Sequence, residues 1–145
     1  MAGKTRWVVI GAALFAAAGW ASDKHGSLAD VKVTATQRVA EARYADATVL
    51  AARGGTPLAI ALAVAGPFEG STQHVIQINE GAEAPTASRV AVLRDGLLDD
   101  SVRGERWDVA LERTADGAWR IKEVTRAWRC RRGAQLDRFA TMRCP

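Results

Sequence analysis

The sequence predicts an α+β fold, with one or two N-terminal helices packed on a four-stranded antiparallel meander. Three observations lead to this prediction. Helical patterns fill the first half of the chain, alternating strand patterns fill the second half, and turn residues separate the segments. Of the 145 residues, 48% are apolar, which is enough for one globular core.

The first residues predict an export signal. Lys4 and Arg6 precede an uncharged, mainly apolar run from Trp7 to Ala21. A basic start, a short apolar run and small residues before the cleavage point are typical of secretory signals. We predict a signal peptide at 1–21, with cleavage after Ala18 as an alternative. An uncleaved anchor is less consistent with a run of about 15 residues, because a membrane span needs about 20.

After the signal we predict a flexible lead-in at 22–36 and a single domain at 37–145. The segment QRVAEARYADATVLAAR (37–53) repeats small and apolar residues at helical spacing and ends at a glycine pair. The preceding DVKVTAT fits either a short strand or the first turns of that helix. The segment TPLAIALAVAGP (56–67) predicts a buried helix capped by Thr56, with a buried strand as the alternative.

Four strands are predicted in the second half, at 73–79, 88–95, 105–114 and 118–130. The sequence TADG predicts a hairpin turn between the last two strands, with Gly117 at positive φ. The apolar residues of the last strand change parity, which predicts a bulge near Lys122 and Glu123. The resulting layout is comparable to cystatin-like and NTF2-like folds in element order alone, which carries no function.

Cys130 and Cys144 are the only cysteines and lie 14 residues apart. An even number of cysteines in an exported chain predicts a disulfide. A structural zinc site needs four nitrogen or sulfur ligands, and His25 and His74 are distant in the sequence. The sequence therefore predicts neither a metal site nor a cofactor.

The C-terminal segment is strongly basic. The formal net charge of +4 includes Lys4 and Arg6, which leave with the signal, so the mature chain is expected to carry +2. The predicted binding residues are Arg126, Arg129, Arg131, Arg132, Arg138 and Arg143, with Trp128 and Phe139. Export argues against nucleic acid, so the predicted partners are an anionic envelope component or an acidic protein. The alternative is a solvated loop that only keeps the protein soluble.

The stretch GLLDDSV (96–102) offers three oxygen-bearing side chains, Asp99, Asp100 and Ser101, between two strands. They fit either a turn held by side-chain bonds to the backbone or a site for calcium or a cationic ligand. Ser101, His74 and Asp99 can be combined into a catalytic triad on paper, but most chains of this size allow such a set. No catalytic residue is predicted, and whether the protein is an enzyme stays open.

The sequence GLLDDSVRGERWDVAL, followed by Trp119 and the two cysteines, resembles a group of small exported bacterial proteins and lipoproteins without an assigned activity. Their pattern runs G-L-x-D-D-S-V-x-x-x-R-[YW], then a strand with tryptophan, then C-x-x-G-R-G-H-x-x-W and a final cysteine. The matching residues are Gly96, Leu97, Asp99, Asp100, Ser101, Val102, Arg106, Trp107, Trp119, Cys130, Gly133 and Cys144. Phe139 replaces the tryptophan, and Ala134, Gln135 and Leu136 replace Arg, Gly and His. The resemblance covers about the last fifty residues and implies an exported α+β domain with a disulfide-closed tail, without a substrate.

Three functional hypotheses follow from the sequence. The first is an exported envelope binding or interaction module that uses the basic Cys130–Cys144 loop. The second is a small periplasmic hydrolase or isomerase with a pocket on the sheet. The third is a structural accessory protein. All three place the protein in the periplasm or outside the cell.

Overall fold

The computed structural model describes residues 28–145. The predicted signal peptide and the following residues up to Ser27, including His25, lie outside this range. The helices are α1 (Ala45–Ala52) and α2 (Pro57–Ala65). The strands are β1 (Lys32–Val33), β2 (Gln37–Arg38), β3 (Thr72–Glu80), β4 (Ala87–Asp95), β5 (Val102–Arg113), β6 (Trp119–Cys130) and β7 (Arg138–Phe139). No helix in this range is long and apolar enough to cross a membrane.

The α+β prediction is confirmed, and the four predicted strands form an antiparallel meander, β3 to β6. The main sheet nevertheless has five strands, in the order β2-β6-β5-β4-β3. The additional strand, β2, pairs with Thr125 and Arg126 of β6. Its place is fixed by the Val39 N–H, which donates to the Val124 carbonyl at 2.9 Å, and by bonds from Arg38 to Glu123.

The predicted first helix began too early. Residues 37–38 form a strand, a 3-10 turn follows at Glu41–Arg43, and α1 begins only at Ala45. Tyr44 interrupts the helical conformation with φ −136° and ψ 31°. Alanine is compatible with a helix but does not determine where the helix starts. The alanine-rich pattern therefore could not predict the first residue of α1.

The second helix is confirmed, and the strand alternative for this segment is wrong. The Thr56 hydroxyl accepts from the Ala59 N–H at 3.2 Å, Pro57 occupies the first turn, and Gly66 ends the helix at φ 71°. The predicted hairpin turn is also present, with Gly117 at φ 84°. The predicted bulge lies at Lys122, because Ala110 pairs with Glu123 while Leu111 pairs with Ile121.

The two helices cover one face of the sheet, where they bury most of the core; we call it the helix face. Its strand residues include Val90, Val92, Trp107, Val109, Leu111 and Val124. A smaller cluster on the opposite, open face joins Leu28, Leu93, Ala127 and Phe139. Part of the predicted lead-in is therefore packed on the domain. Leu28 is buried, and β1 pairs with β7.

Candidate functional site: a tryptophan–arginine pocket

The C-terminal loop is closed by the predicted disulfide. The Cys130 and Cys144 sulfurs are 2.06 Å apart, and their Cα atoms are 5.3 Å apart. Gln135 fastens the loop to β6, because its buried Nε2 donates to the Trp128 carbonyl at 3.3 Å and to the Met142 carbonyl at 3.2 Å. The Trp128 backbone also pairs with Ala140. The loop therefore holds the end of β6 in place.

Two arginines of the C-terminal segment, Arg129 at the end of β6 and Arg131 in the loop, bind backbone carbonyls. Arg129 donates from Nε to the Leu136 carbonyl at 2.8 Å, and Arg131 donates from Nε to the Asp99 carbonyl at 2.8 Å. Arg131 also donates to Leu97, which joins the loop to the β4–β5 connection. Arg129 thus ties the loop to β6, and Arg131 ties it to the β4–β5 connection, so part of their binding capacity is already used.

The other loop residues are less tied to the domain. Arg132 donates to the Pro145 carbonyl at 3.5 Å and Arg138 donates to the Ala134 carbonyl, so both bind within the C-terminal segment itself. Arg143 is exposed. Phe139, predicted to bind a partner, is 0% exposed and packs in the open-face cluster.

Strand register brings an acid and two arginines together on the helix face. Glu105 of β5 lies opposite Arg94 of β4 on one side and Trp128 of β6 on the other. In the neighbouring row, Trp107 lies opposite Arg126. Arg94 and Glu105 are 2% and 6% exposed, so the charged groups lie inside the molecule rather than on its surface.

Arg94 is enclosed by protein acceptors on every side. Its Nη1 donates to the Ala65 carbonyl at 2.7 Å and to Glu105 Oε1 at 3.1 Å, and its Nη2 donates to the Gly66 carbonyl at 2.6 Å. Its Nε donates to Gln73 Oε1 at 2.9 Å. The carbonyls at the end of a helix are otherwise unpaired, so this guanidinium fastens the end of α2 to the sheet.

Arg126 shares the same carboxylate but is not enclosed. Its Nη2 donates to Glu105 Oε2 at 2.6 Å, and its guanidinium carbon lies 4.4 Å from the Trp107 ring centre and 5.0 Å from that of Trp128. The Arg126 Nε and the Trp107 Nε1 are buried without a hydrogen-bond partner. The side chain of Arg126 keeps 26% of its surface exposed.

That exposed part faces a cavity of about 190 Å³, which we call the Trp–Arg pocket. The residues that line it are Gln37, Arg38, Val39, Ala40, Arg43, Trp107, Arg126 and Trp128. Two indole rings give it apolar walls, and arginines supply its charge. The pocket exists because β2 and the 3-10 turn run along the edge of β6 instead of continuing as a helix.

The pocket carries an excess of positive charge. One buried carboxylate, Glu105, is shared by the guanidiniums of Arg94 and Arg126. Of these two, Arg94 is the more deeply buried. Arg38 is paired with Glu123 at 2.6 Å, whereas Arg43 is exposed at the rim. A guanidinium in a partly desolvated site attracts an anion more strongly than one in water, because the effective dielectric constant is lower. The arrangement therefore suits an acceptor group with negative charge.

The β4–β5 connection has the geometry of a turn. Asp99 Oδ1 accepts from the Val102 N–H at 2.6 Å and from the Ser101 N–H at 2.8 Å. These two bonds lower the pKa of Asp99 below its usual value of 3.8. In residues 28–145 no group of three or more His, Cys, Asp or Glu side chains is arranged to hold a metal ion.

The open face has a groove of about 340 Å³, which is where the enzyme hypothesis places a catalytic pocket. Its two carboxylates are already paired. Asp108 accepts two bonds from Arg106, at 2.7 and 2.6 Å, and Glu123 accepts from Arg38. His74 of β3 also lies on the open face of the sheet, opposite Leu93 of β4.

Sequence reasoning selected Arg126 and Trp128 but missed Trp107, Arg94 and Glu105 as members of the site. A signal for them was present. Arg94 has the same parity as the inward-facing Val90 and Val92, and Glu105 has the same parity as Trp107. Charged residues at inward positions of two neighbouring strands indicate a buried ion pair.

Comparison with known proteins gives no parallel, since neither a family model, nor a curated protein, nor a solved structure matches this chain.

Proposed function

We propose that this protein is an exported binding module that holds an anionic group in the Trp–Arg pocket. The observation that carries the proposal is the shared carboxylate: Glu105 serves two arginines, and the second, Arg126, opens into a pocket between two tryptophans. The Arg126 side chain keeps 26% of its surface exposed, and this part lines the pocket. A phosphate or carboxylate bound against it supplies the missing negative charge.

The size and walls of the pocket narrow the ligand class. A volume of about 190 Å³ accommodates a headgroup rather than a whole lipid or sugar chain. Indole rings favour an apolar or cationic part next to the acid. Anionic envelope components, such as phospholipid headgroups or lipopolysaccharide phosphates, have this chemistry, and an acidic protein segment offers the same carboxylates.

Export is part of the proposal. It is supported by the signal-like pattern at 1–21 and by the disulfide, because disulfides persist mainly in oxidising compartments. The basic loop lies beside the pocket in the chain, since Trp128 lines the pocket two residues before the loop begins. Arg132, Arg138 and Arg143 would then attract an anionic surface, while the pocket holds one of its headgroups.

The test uses two arginines that flank α1. Arg43 lines the pocket and Arg53, at the other end of α1, does not; both are exposed. We expect Arg43→Ser to weaken binding to phosphatidylglycerol vesicles several-fold at low salt, and Arg53→Ser, with the same change in net charge, to leave it nearly unchanged. Equal effects of the two variants would contradict a role for the pocket. Added salt should weaken wild-type binding.

A second comparison separates the pocket from the loop. A soluble short-chain phosphatidylglycerol presents the headgroup without a surface, and calorimetry of its binding reports on the pocket alone. The Arg132→Ser/Arg138→Ser/Arg143→Ser variant should keep this binding and lose part of the vesicle binding. If the triple variant loses both while Arg43→Ser loses neither, the loop is the binding site and the pocket proposal is wrong.

A further inference from the structure

The two edges of the main sheet are treated differently. On one side, β6 is paired with β2 and bridged to the C-terminal loop at Ala140. On the other side, β3 ends the sheet, and nothing in the range 28–145 pairs with its outer backbone. Alternate N–H and C=O groups of an edge strand point outward and can pair with another chain.

The sequence of β3, TQHVIQINE, lacks the usual protection of an edge. It contains no proline, lysine or arginine, and its nine residues pair with β4 without a register shift. Ile78 is 65% exposed and Val75 is 36% exposed, on opposite faces of the strand. Long, regular and apolar edges favour strand addition, whereas protected edges carry charges, bulges or proline.

We propose that β3 pairs antiparallel with β3 of a second copy of this chain and forms one continuous ten-stranded sheet. The proposed register is centred on Gln77, which faces Gln77 of the other copy. Ile76 then lies opposite Ile78, and His74 lies opposite Glu80, each pair occurring twice. In this register even-numbered residues face even-numbered ones and odd face odd. The backbone N–H and C=O groups that point outward therefore meet those of the other copy, as an antiparallel ladder requires.

This register is self-complementary in shape and places no like charges opposite each other. Four isoleucines meet on the open face, with a His–Glu pair on either side of them. Glu80 is the only acidic residue of β3, so no two carboxylates face each other. Directly opposed residues interact across antiparallel strands, and like charges placed opposite each other destabilise the pairing. These complementary pairs favour a second copy over an unrelated peptide. The inference is independent of the Trp–Arg pocket, whose lining residues contain no member of β3.

The first experiment is sedimentation of the full chain over a range of concentrations. We expect a monomer–dimer equilibrium that Ile78→Lys weakens at least tenfold, because the lysine is placed against Ile76 of the partner copy. Leu98→Lys is the matched control, since Leu98 is 84% exposed in the β4–β5 connection and should leave the equilibrium unchanged. Ile78 is already exposed, so the variant is expected to fold, which circular dichroism checks. A monomer at every concentration, or a dimer indifferent to Ile78→Lys, overturns the proposal.

The second experiment tests the register by crosslinking. Opposed residues of an antiparallel pair have Cα atoms about 4.5–5.5 Å apart, within the range of a disulfide. Gln77→Cys should therefore form a crosslinked dimer on mild oxidation. Val75→Cys, which lies opposite Asn79 and about 13 Å from its own counterpart, should not. Native Cys130 and Cys144 are bonded to each other and do not compete. Crosslinking of Val75→Cys but not of Gln77→Cys overturns this register.

Discussion

Arg94 and Arg126 share one carboxylate but lie in opposite surroundings. Arg94 is 2% exposed and donates to three backbone carbonyls, a glutamine and Glu105. Arg126 donates to Glu105, stacks between two indoles and opens into a cavity. The same residue type fastens a helix in one case and lines a pocket in the other. The presence or absence of enclosing acceptors decides which.

The comparison extends to the basic loop. Arg131 resembles Arg94, because its guanidinium donates to the Leu97 and Asp99 carbonyls of another segment. Counting arginines in the sequence therefore overestimates the binding capacity of the C-terminal segment. Arginines that hold loops together contribute to the fold, and only the remaining donors are free to bind a partner.

The largest expected effect separates Arg94 from Arg126. Arg94→Met removes one partner of a buried ion pair and leaves the carbonyls at the end of α2 without donors. We expect a loss of about 3–5 kcal/mol in the free energy of unfolding. Arg126→Met should lose only about 1–2 kcal/mol, because Glu105 keeps Arg94 and the pocket side is partly hydrated. Urea unfolding of both variants measures the difference, and equal losses would remove the distinction between the two sites.

The next effect concerns the disulfide-closed C-terminal loop, which holds the end of β6 next to the pocket. A Cys130→Ser/Cys144→Ser variant should lose about 3 kcal/mol in the free energy of unfolding, as the chain-entropy model gives for a loop of this length. The sheet should persist, because β3 to β6 pair without the loop. The Trp128 backbone should become less protected, since Gln135 and Ala140 both bind it. Hydrogen exchange measures that protection, and unchanged exchange at Trp128 would show that the loop is not a brace.

The sequence predicted the meander to within a few residues at each strand end. Alternation of apolar and polar residues, a hairpin glycine and a parity change carry enough information for strands, a turn and a bulge. The start of α1 was missed because an alanine-rich segment fits a helix without requiring one. Strand β2 was missed because its pairing depends on Glu123 and Val124, which are distant in the sequence.

The pocket was predictable only in part. Arg126 and Trp128 were selected because they belong to a basic segment, not because of their neighbours. The pairing of Trp107 with Arg126 depends on register, which the bulge at Lys122 shifts by one residue. The acceptors of Arg94 lie at the end of a helix about thirty residues earlier, and no local pattern connects the two. Side-chain partners of this kind are decided by the tertiary fold.

The smallest effect tests the turn that supplies an acceptor to Arg131. Backbone N–H groups of Val102 and Ser101 lower the pKa of Asp99 in the folded state, so its ionised form stabilises the fold. This contribution is complete well above the usual value of 3.8, which applies to the unfolded chain, and is lost as the pH falls through the lower folded pKa. Because Asp99 is exposed, we expect this contribution to the free energy of unfolding to be less than about 1 kcal/mol.

Asp99→Asn keeps an acceptor oxygen and removes the charge, so it should be slightly less stable than wild type at pH 7. The difference should shrink as the pH falls through the folded pKa, which lies below 3.8, as urea unfolding at several pH values would measure. Asp100→Asn, with the same change in net charge, should stay within about 0.5 kcal/mol of wild type at pH 7. An equal loss in both variants would assign the effect to net charge instead of to the turn.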